Sequence, residues 1–110
     1  MTTWHDIGTP DQFIEDEPKA VVAGDASIAV FRVGDELFAL HNLCTHAHAL
    51  LSDGFVEDGC VECPLHQGTF DLRTGEARKE PCTRDVQTFH VRELDGRVQV
   101  QVLPGLIQTA

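Results

Sequence analysis

The chain has 110 residues, with 8 Lys and Arg against 18 Asp and Glu and a formal charge of −10. That length suits one domain with a modest core, and that charge excludes nucleic acid or an anionic membrane held by electrostatics. An acidic surface favours encounter with basic protein surfaces, or serves solubility alone.

No apolar run is long enough to cross a bilayer. Residues Met1 to Gly8 carry neither the basic nor the apolar segment of a secretory leader, so a cytoplasmic location is expected. In a reducing compartment, four Cys among six His point to metal rather than to disulfides.

Only Thr9–Asp16 has helical character, starting at Pro10. Lys19–Ala23 and Ser27–Val33 read as strands joined at Gly24-Asp25, and Gly34-Asp35 turns the second into Glu36–His41. After the middle of the chain, Val86–Glu93 reads as one alternating strand. Asp95-Gly96 is a hairpin turn, and Val98, Val100 and Val102 alternate with Gln99 and Gln101. Frequent turns and short apolar runs predict an all-β antiparallel sandwich or barrel. Trp4 and the six Phe are assigned to its core, and the tail from Pro104 is expected to be loose.

The middle of the chain carries the chemistry. Cys44-Thr45-His46 and Cys63-Pro64-Leu65-His66 each pair a thiol with an imidazole. Two thiolates on one iron and two imidazoles on the other is the donor set of one kind of [2Fe–2S] centre. The same four side chains could hold a structural zinc.

The Cys-x-His and Cys-x-x-His pairs sit among Asn42-Leu43, Leu51-Ser52-Asp53-Gly54, Gln67-Gly68-Thr69-Phe70-Asp71 and Thr74-Gly75. Together they resemble the Rieske-type ferredoxins of bacterial aromatic ring-hydroxylating dioxygenase systems, most closely from Asn42 to Pro81. The resemblance implies a single Rieske domain over 1–110, with a small cluster-binding β subdomain, about 42–81, inserted in the β base. It implies one [2Fe–2S] cluster held by Cys44, His46, Cys63 and His66, the two Cys on the inner iron and the two His on the outer. Pro81 falls where the family places a proline loop over the cluster. Respiratory Rieske proteins have a disulfide between the two ligand loops and hydroxyl donors to the cluster sulfurs. Here those positions are Ala49 and Leu65, and Gly68 and Phe70, so the potential is expected in the lower part of the Rieske range.

Cys60 makes a C-x-x-C with Cys63, but Cys63 is already claimed by the ligand pattern, so Cys60 reads as a small apolar residue opening a strand. Cys82 reads as packed near the proline loop. His48 is the nearest spare ligand and is assigned to a surface loop; His5, His41 and His90 are assigned structural places. The resemblance implies a one-electron carrier, not itself an enzyme, between a flavin-containing ferredoxin reductase and a terminal oxygenase, and a monomer. The alternatives are a Rieske-like small subunit of a reductase such as nitrite reductase, and a zinc module.

Overall fold

A computed structural model describes residues 3–43, 49–64, 68–79 and 84–102. Among the described residues eleven strands run in chain order: β1 (Thr3–Gly8), β2 (Lys19–Ala23), β3 (Ala26–Val33), β4 (Glu36–His41), β5 (Phe55–Glu57), β6 (Cys60–Glu62), β7 (Thr69–Asp71), β8 (Ala77–Lys79), β9 (Thr88–Phe89), β10 (Val91–Leu94) and β11 (Arg97–Val102). They form three antiparallel sheets, ordered β1-β11-β10, β2-β3-β4-β9 and β5-β6-β7-β8. The helical character expected near Pro10 is one 3₁₀ turn, Pro10–Gln12. No α-helix occurs among the described residues, and no described helix is long and apolar enough to cross a membrane.

The run Ser27-Ile28-Ala29-Val30-Phe31 does not alternate in polarity because β3 is buried on both faces. Ile28 and Val30 pack with Ala39 of β4 against Val98, Val100 and Val102 of β11, closing the sandwich. Ala29 and Phe31 pack with Leu40 on the opposite face, against Leu51, Val61, Cys63, Phe70, Leu72 and Val86. The β3-β4 layer therefore separates two apolar cores. One belongs to the base; the other seats the β5-β8 sheet.

Two expectations need correction. Val86–Glu93 is not one strand: β9 pairs with β4 and β10 pairs with β11, so the chain crosses between sheets at His90. The His90 carbonyl accepts the Gln101 amide at 2.9 Å, which holds the corner to β11. Nor are all aromatic residues in the core. Phe13, Phe31, Phe70 and Phe89 are buried, but Phe55 is 68% exposed, because the β5 register turns it to the outer face. Trp4 is half-buried beneath the Arg92 guanidinium, 3.8 Å from its ring centre.

Candidate metal centre

Of the expected ligands Cys63 is described, and of the residues expected near the cluster Ala49, Gly68 and Phe70 are. Cys44, His46, His48, His66, Pro81 and Cys82 lie outside the described residues. What the structure shows is how the segments that carry them begin and end.

The first stem is built on Asn42, which is 1% exposed. Its amide donates to the Ser27 carbonyl at 2.9 Å, and its carbonyl accepts the Leu51 amide at 2.7 Å. Its side-chain Oδ1 accepts the Ser52 amide at 2.8 Å. A Leu43–Leu50 bridge completes the closure. The chain leaves β4 and returns through a fixed mouth, with Cys44-Thr45-His46 inside the loop. The returning arm Leu51–Asp53 is a 3₁₀ turn. At its end, a Cβ on Gly54 would lie 2.3 Å from the Glu62 carbonyl and 3.1 Å from Val61 Cγ2. The absent side chain lets this arm lie directly on β6, the strand that leads to the second pair.

The second stem follows from β6. The hairpin β5-β6 turns at Asp58-Gly59, where both residues have positive φ, 52° and 74°, the conformation of a tight two-residue hairpin turn. Cys63 directly follows β6, and its amide donates to the Gly68 carbonyl at 2.7 Å. The loop holding His66 therefore springs from a closed base. Cys63 is fully buried beside Ala49, Leu51, Val61, Phe70 and Val86.

A third stem holds the segment of Pro81. On one side is β8; on the other, Asp85 Oδ1 accepts the Ala77 amide at 3.0 Å and the Val86 amide donates to Gly75 at 2.8 Å. Gly75 has φ +76°, and a Cβ there would lie 2.1 Å from the Val86 carbonyl. Asp71 sets the turn before it. Its Oδ1 accepts the Arg73 and Thr74 amides at 2.8 and 3.1 Å, and its Oδ2 accepts Arg78 at 3.0 Å. Partial burial pushes the Asp71 carboxyl up, but these donors outweigh it and hold the group below its ordinary range.

All three stems share one apolar cluster, which contains Ala49 and Leu51, Cys63 and Phe70, and Val86 with Ala77 against it. Burying each large side chain there is worth about 1.5–3 kcal/mol, so the loop bases are held by packing as well as by hydrogen bonds. A thiol at the mouth of a loop and walled by hydrocarbon suits a soft metal ligand, because a thiolate there has no water to solvate it and gains most from a cation. The donor set fits a [2Fe–2S] group.

The neighbouring groups differ from this. Cys60 opens β6 half-buried, and burial first, then the Asp71 and Asp58 charges, push its thiol up, with Arg78 opposing. His41 ends β4 half-buried; desolvation lowers its pKa, against a hydrogen bond with the Leu43 backbone. His5 is half-buried on β1, and His90 is exposed at the corner. The sequence marked Asn42, Gly54 and Asp71 as flanks of the ligand pairs, and Asp71 as an acidic neighbour that would lower the potential, but gave none of them a part in holding the loops, and the Asp58-Gly59 turn went unread. For the last of these the Asp-Gly dipeptide was the available signal.

The profile of the Rieske [2Fe-2S] domain matches residues 3–90. The anthranilate 1,2-dioxygenase ferredoxin subunit of Burkholderia cepacia is 58% identical over 102 residues, 93% of this chain and 94% of that one. Among solved structures, the ferredoxin of carbazole 1,9a-dioxygenase from Nocardioides aromaticivorans IC177 superposes with a TM-score of 0.86 at 35% identity, covering 89% of this chain and 96% of that one. A chain from the complex of reduced oxygenase and oxidized ferredoxin in carbazole 1,9a-dioxygenase gives 0.83 at 35% identity, over 88% and 91%. Three stems converging on one core, a buried thiol at a loop mouth and a profile match over residues 3–90 place this chain in the Rieske [2Fe-2S] domain family.

Proposed function

We infer that the chain is a one-electron carrier, the ferredoxin component of an aromatic ring-hydroxylating dioxygenase system, and that it carries one [2Fe–2S] cluster and is not itself the oxygenase. The observation that carries this reading is 58% identity across nearly the whole length of a dioxygenase ferredoxin subunit, with Cys63 seated at a closed loop base. The cluster, when bound, supplies a reversible one-electron couple. We propose that Cys44 and Cys63 hold one iron and His46 and His66 the other, with Pro81 and Gly68 beside the cluster and His48 on the surrounding loop. The domain 1–110, with residues 42–81 as its cluster-binding part, belongs to the same proposal.

The chain's own contribution is to hold the donors still. Asn42 fixes the mouth of the first loop, the Cys63–Gly68 bond fixes the second, and Gly54 lets the first stem rest on the strand that feeds the second. Little rearrangement on electron transfer is the expected consequence. The apolar wall of Leu51, Val61, Phe70 and Val86 excludes water from the thiol side. Phe70 has no hydroxyl to donate, and its ring is wholly buried. A potential in the lower part of the roughly −150 to +300 mV Rieske span follows.

The partners are the terminal oxygenase of such a system and a flavin-containing reductase, met by a cytoplasmic monomer. Electron paramagnetic resonance of the dithionite-reduced protein tests the reading. The rhombic, low-average-g signal of a His-ligated [2Fe–2S] centre is expected. No signal, with zinc bound in place of iron and sulfide, would instead make this a structural metal module.

A further inference from the structure

From Val33 to Leu72 the chain has no Lys or Arg, yet Asp53, Glu57, Asp58 and Glu62 all fall in that stretch. Within the β5-β8 sheet the two edges differ in charge. On the β7-β8 side the carboxylates are paired: Asp71 with Arg78 at 3.0 Å, Glu76 with Arg78 at 3.3 Å, and Glu36 of the neighbouring β4 with Arg73 at 3.1 Å. Glu57, Asp58 and Glu62 have no ion pair among the described residues. Among the described side chains, the β5-β6 side is therefore uncompensated negative surface; Lys79, two strands from Glu62 in the same row, is the nearest cation by register.

The sheet register places these groups. Phe55 faces Glu62, and Glu62 faces Thr69, across three strands. The row is outward, because Val61 and Phe70, the next residues on β6 and β7, are fully buried on the other side. It is also the last row before Cys63 and Gly68, so it borders the second ligand loop. Glu57 lies two residues from Phe55 and on the same face. Phe55, Val56, Glu57, Glu62 and Thr69 line an open cleft of about 500 Å³. A 68% exposed aromatic ring beside two unpaired carboxylates is costly to leave in water, and it is matched in chemistry to a cation on a hydrocarbon stem.

We propose that this face is a docking site for a Lys- or Arg-bearing surface of a redox partner. One partner cation enters the cleft between Glu57 and Glu62, and its stem or guanidinium plane lies against Phe55. The proposal rests on the electron-carrier reading and deepens it by naming the surface through which a partner is held.

A rival acidic surface supplies the control. Glu15, Asp16 and Glu17 stand with the exposed Ile14 in the turn after the 3₁₀ segment. The Glu15 backbone forms a parallel β-bridge with Arg32, which pairs across the sheet with Leu37 near the start of β4. Asn42, where the first ligand stem begins, is about 17 Å further along at the usual strand rise.

The test uses the reduced, cluster-loaded protein and a lysine-rich c-type cytochrome as electron acceptor, with the second-order rate followed by stopped flow across ionic strength. The Glu57→Gln/Glu62→Gln protein is expected to be about fivefold slower or more at low salt, with a flatter salt dependence. Asp16→Asn/Glu17→Gln, with the same change of charge, should shift the rate by less than about twofold. Phe55→Ala and the more polar Phe55→Gln should both slow transfer while keeping the salt dependence, each with an unchanged cluster spectrum. Equal slowing by the two double variants would mean that only the overall field acts, and would overturn the docking face. A wild type that holds its cluster and reduces no acceptor would bring down the carrier reading itself.

Discussion

Asn42 Oδ1 accepts the Ser52 amide at 2.8 Å across the mouth of the first ligand loop, while the Asn42 carbonyl accepts Leu51. One buried residue thus ties both sides of the loop at adjacent points. Ala at this position would leave the Ser52 amide, which is partly buried, without its acceptor, and would cost about 1–3 kcal/mol. Asn42→Ala is expected to lower stability by that amount and to speed loss of iron. Chemical denaturation and a timed iron-release assay would check both. Unchanged iron retention would mean that the backbone bonds alone hold the loop.

Gly54 and Gly34 make a matched pair. Gly54 has an ordinary φ of −85° but no room, with the Glu62 carbonyl 2.3 Å from a built Cβ. Gly34 has φ +59° and nothing within 4 Å. Gly34→Ala should cost only the left-handed backbone term, about 1 kcal/mol. Gly54→Ala must push the first stem off β6, and should cost more than about 2 kcal/mol and reduce cluster content. Thermal melts with iron and sulfide analysis compare them. Equal costs would show that the stem moves freely.

The base of the fold was legible because its signals are local. Lys19–Ala23 and Glu36–His41 are bounded by Gly-Asp turns, and Asp95-Gly96 is a hairpin signal within two residues. The donor pairs could be picked out on chemistry alone. What positions them could not, since Gly54 is needed for a close approach to residue 62 and Asn42 for a bond to residue 52. The break at His90 was hidden for a related reason: alternation reports the burial of each side, and it continues across a change of sheet. Phe55 misled because an aromatic residue is usually buried, and here its register faces outward.

Cys60 and Cys63 are separated by two residues and differ in environment. Burial and nearby carboxylates push the Cys60 thiol up, so little thiolate is present at neutral pH. Iodoacetamide should label Cys60 in the loaded protein more slowly than a free model thiol. Cys60→Ser should keep the cluster spectrum. Cys63→Ser should lose most of the iron and sulfide, since its buried place at the loop base offers no substitute donor among the described residues. Retention of a full cluster by Cys63→Ser would remove that residue from the ligand set.

Asp71 gives the fold an acid limit at the β7-β8 turn. Burial raises its pKa, but the Arg73 and Thr74 amides and the Arg78 guanidinium lower it further, so the folded value lies below the unfolded one. A carboxyl depressed in this way contributes its full stability above the unfolded pKa of about 3.9, and loses it as pH falls through the folded value. Protonation would release the turn that carries Gly75, and with it the Val86 bond that anchors the third stem. The wild type should therefore lose stability below about pH 4, while Asp71→Asn should be less stable at pH 7 and show a shallower acid slope. Melts from pH 7 to pH 3 read both quantities, and the same acid slope in the two proteins would assign the acid limit to other carboxylates, of which Asp6 beside Arg97 and Glu36 beside Arg73 are also held low.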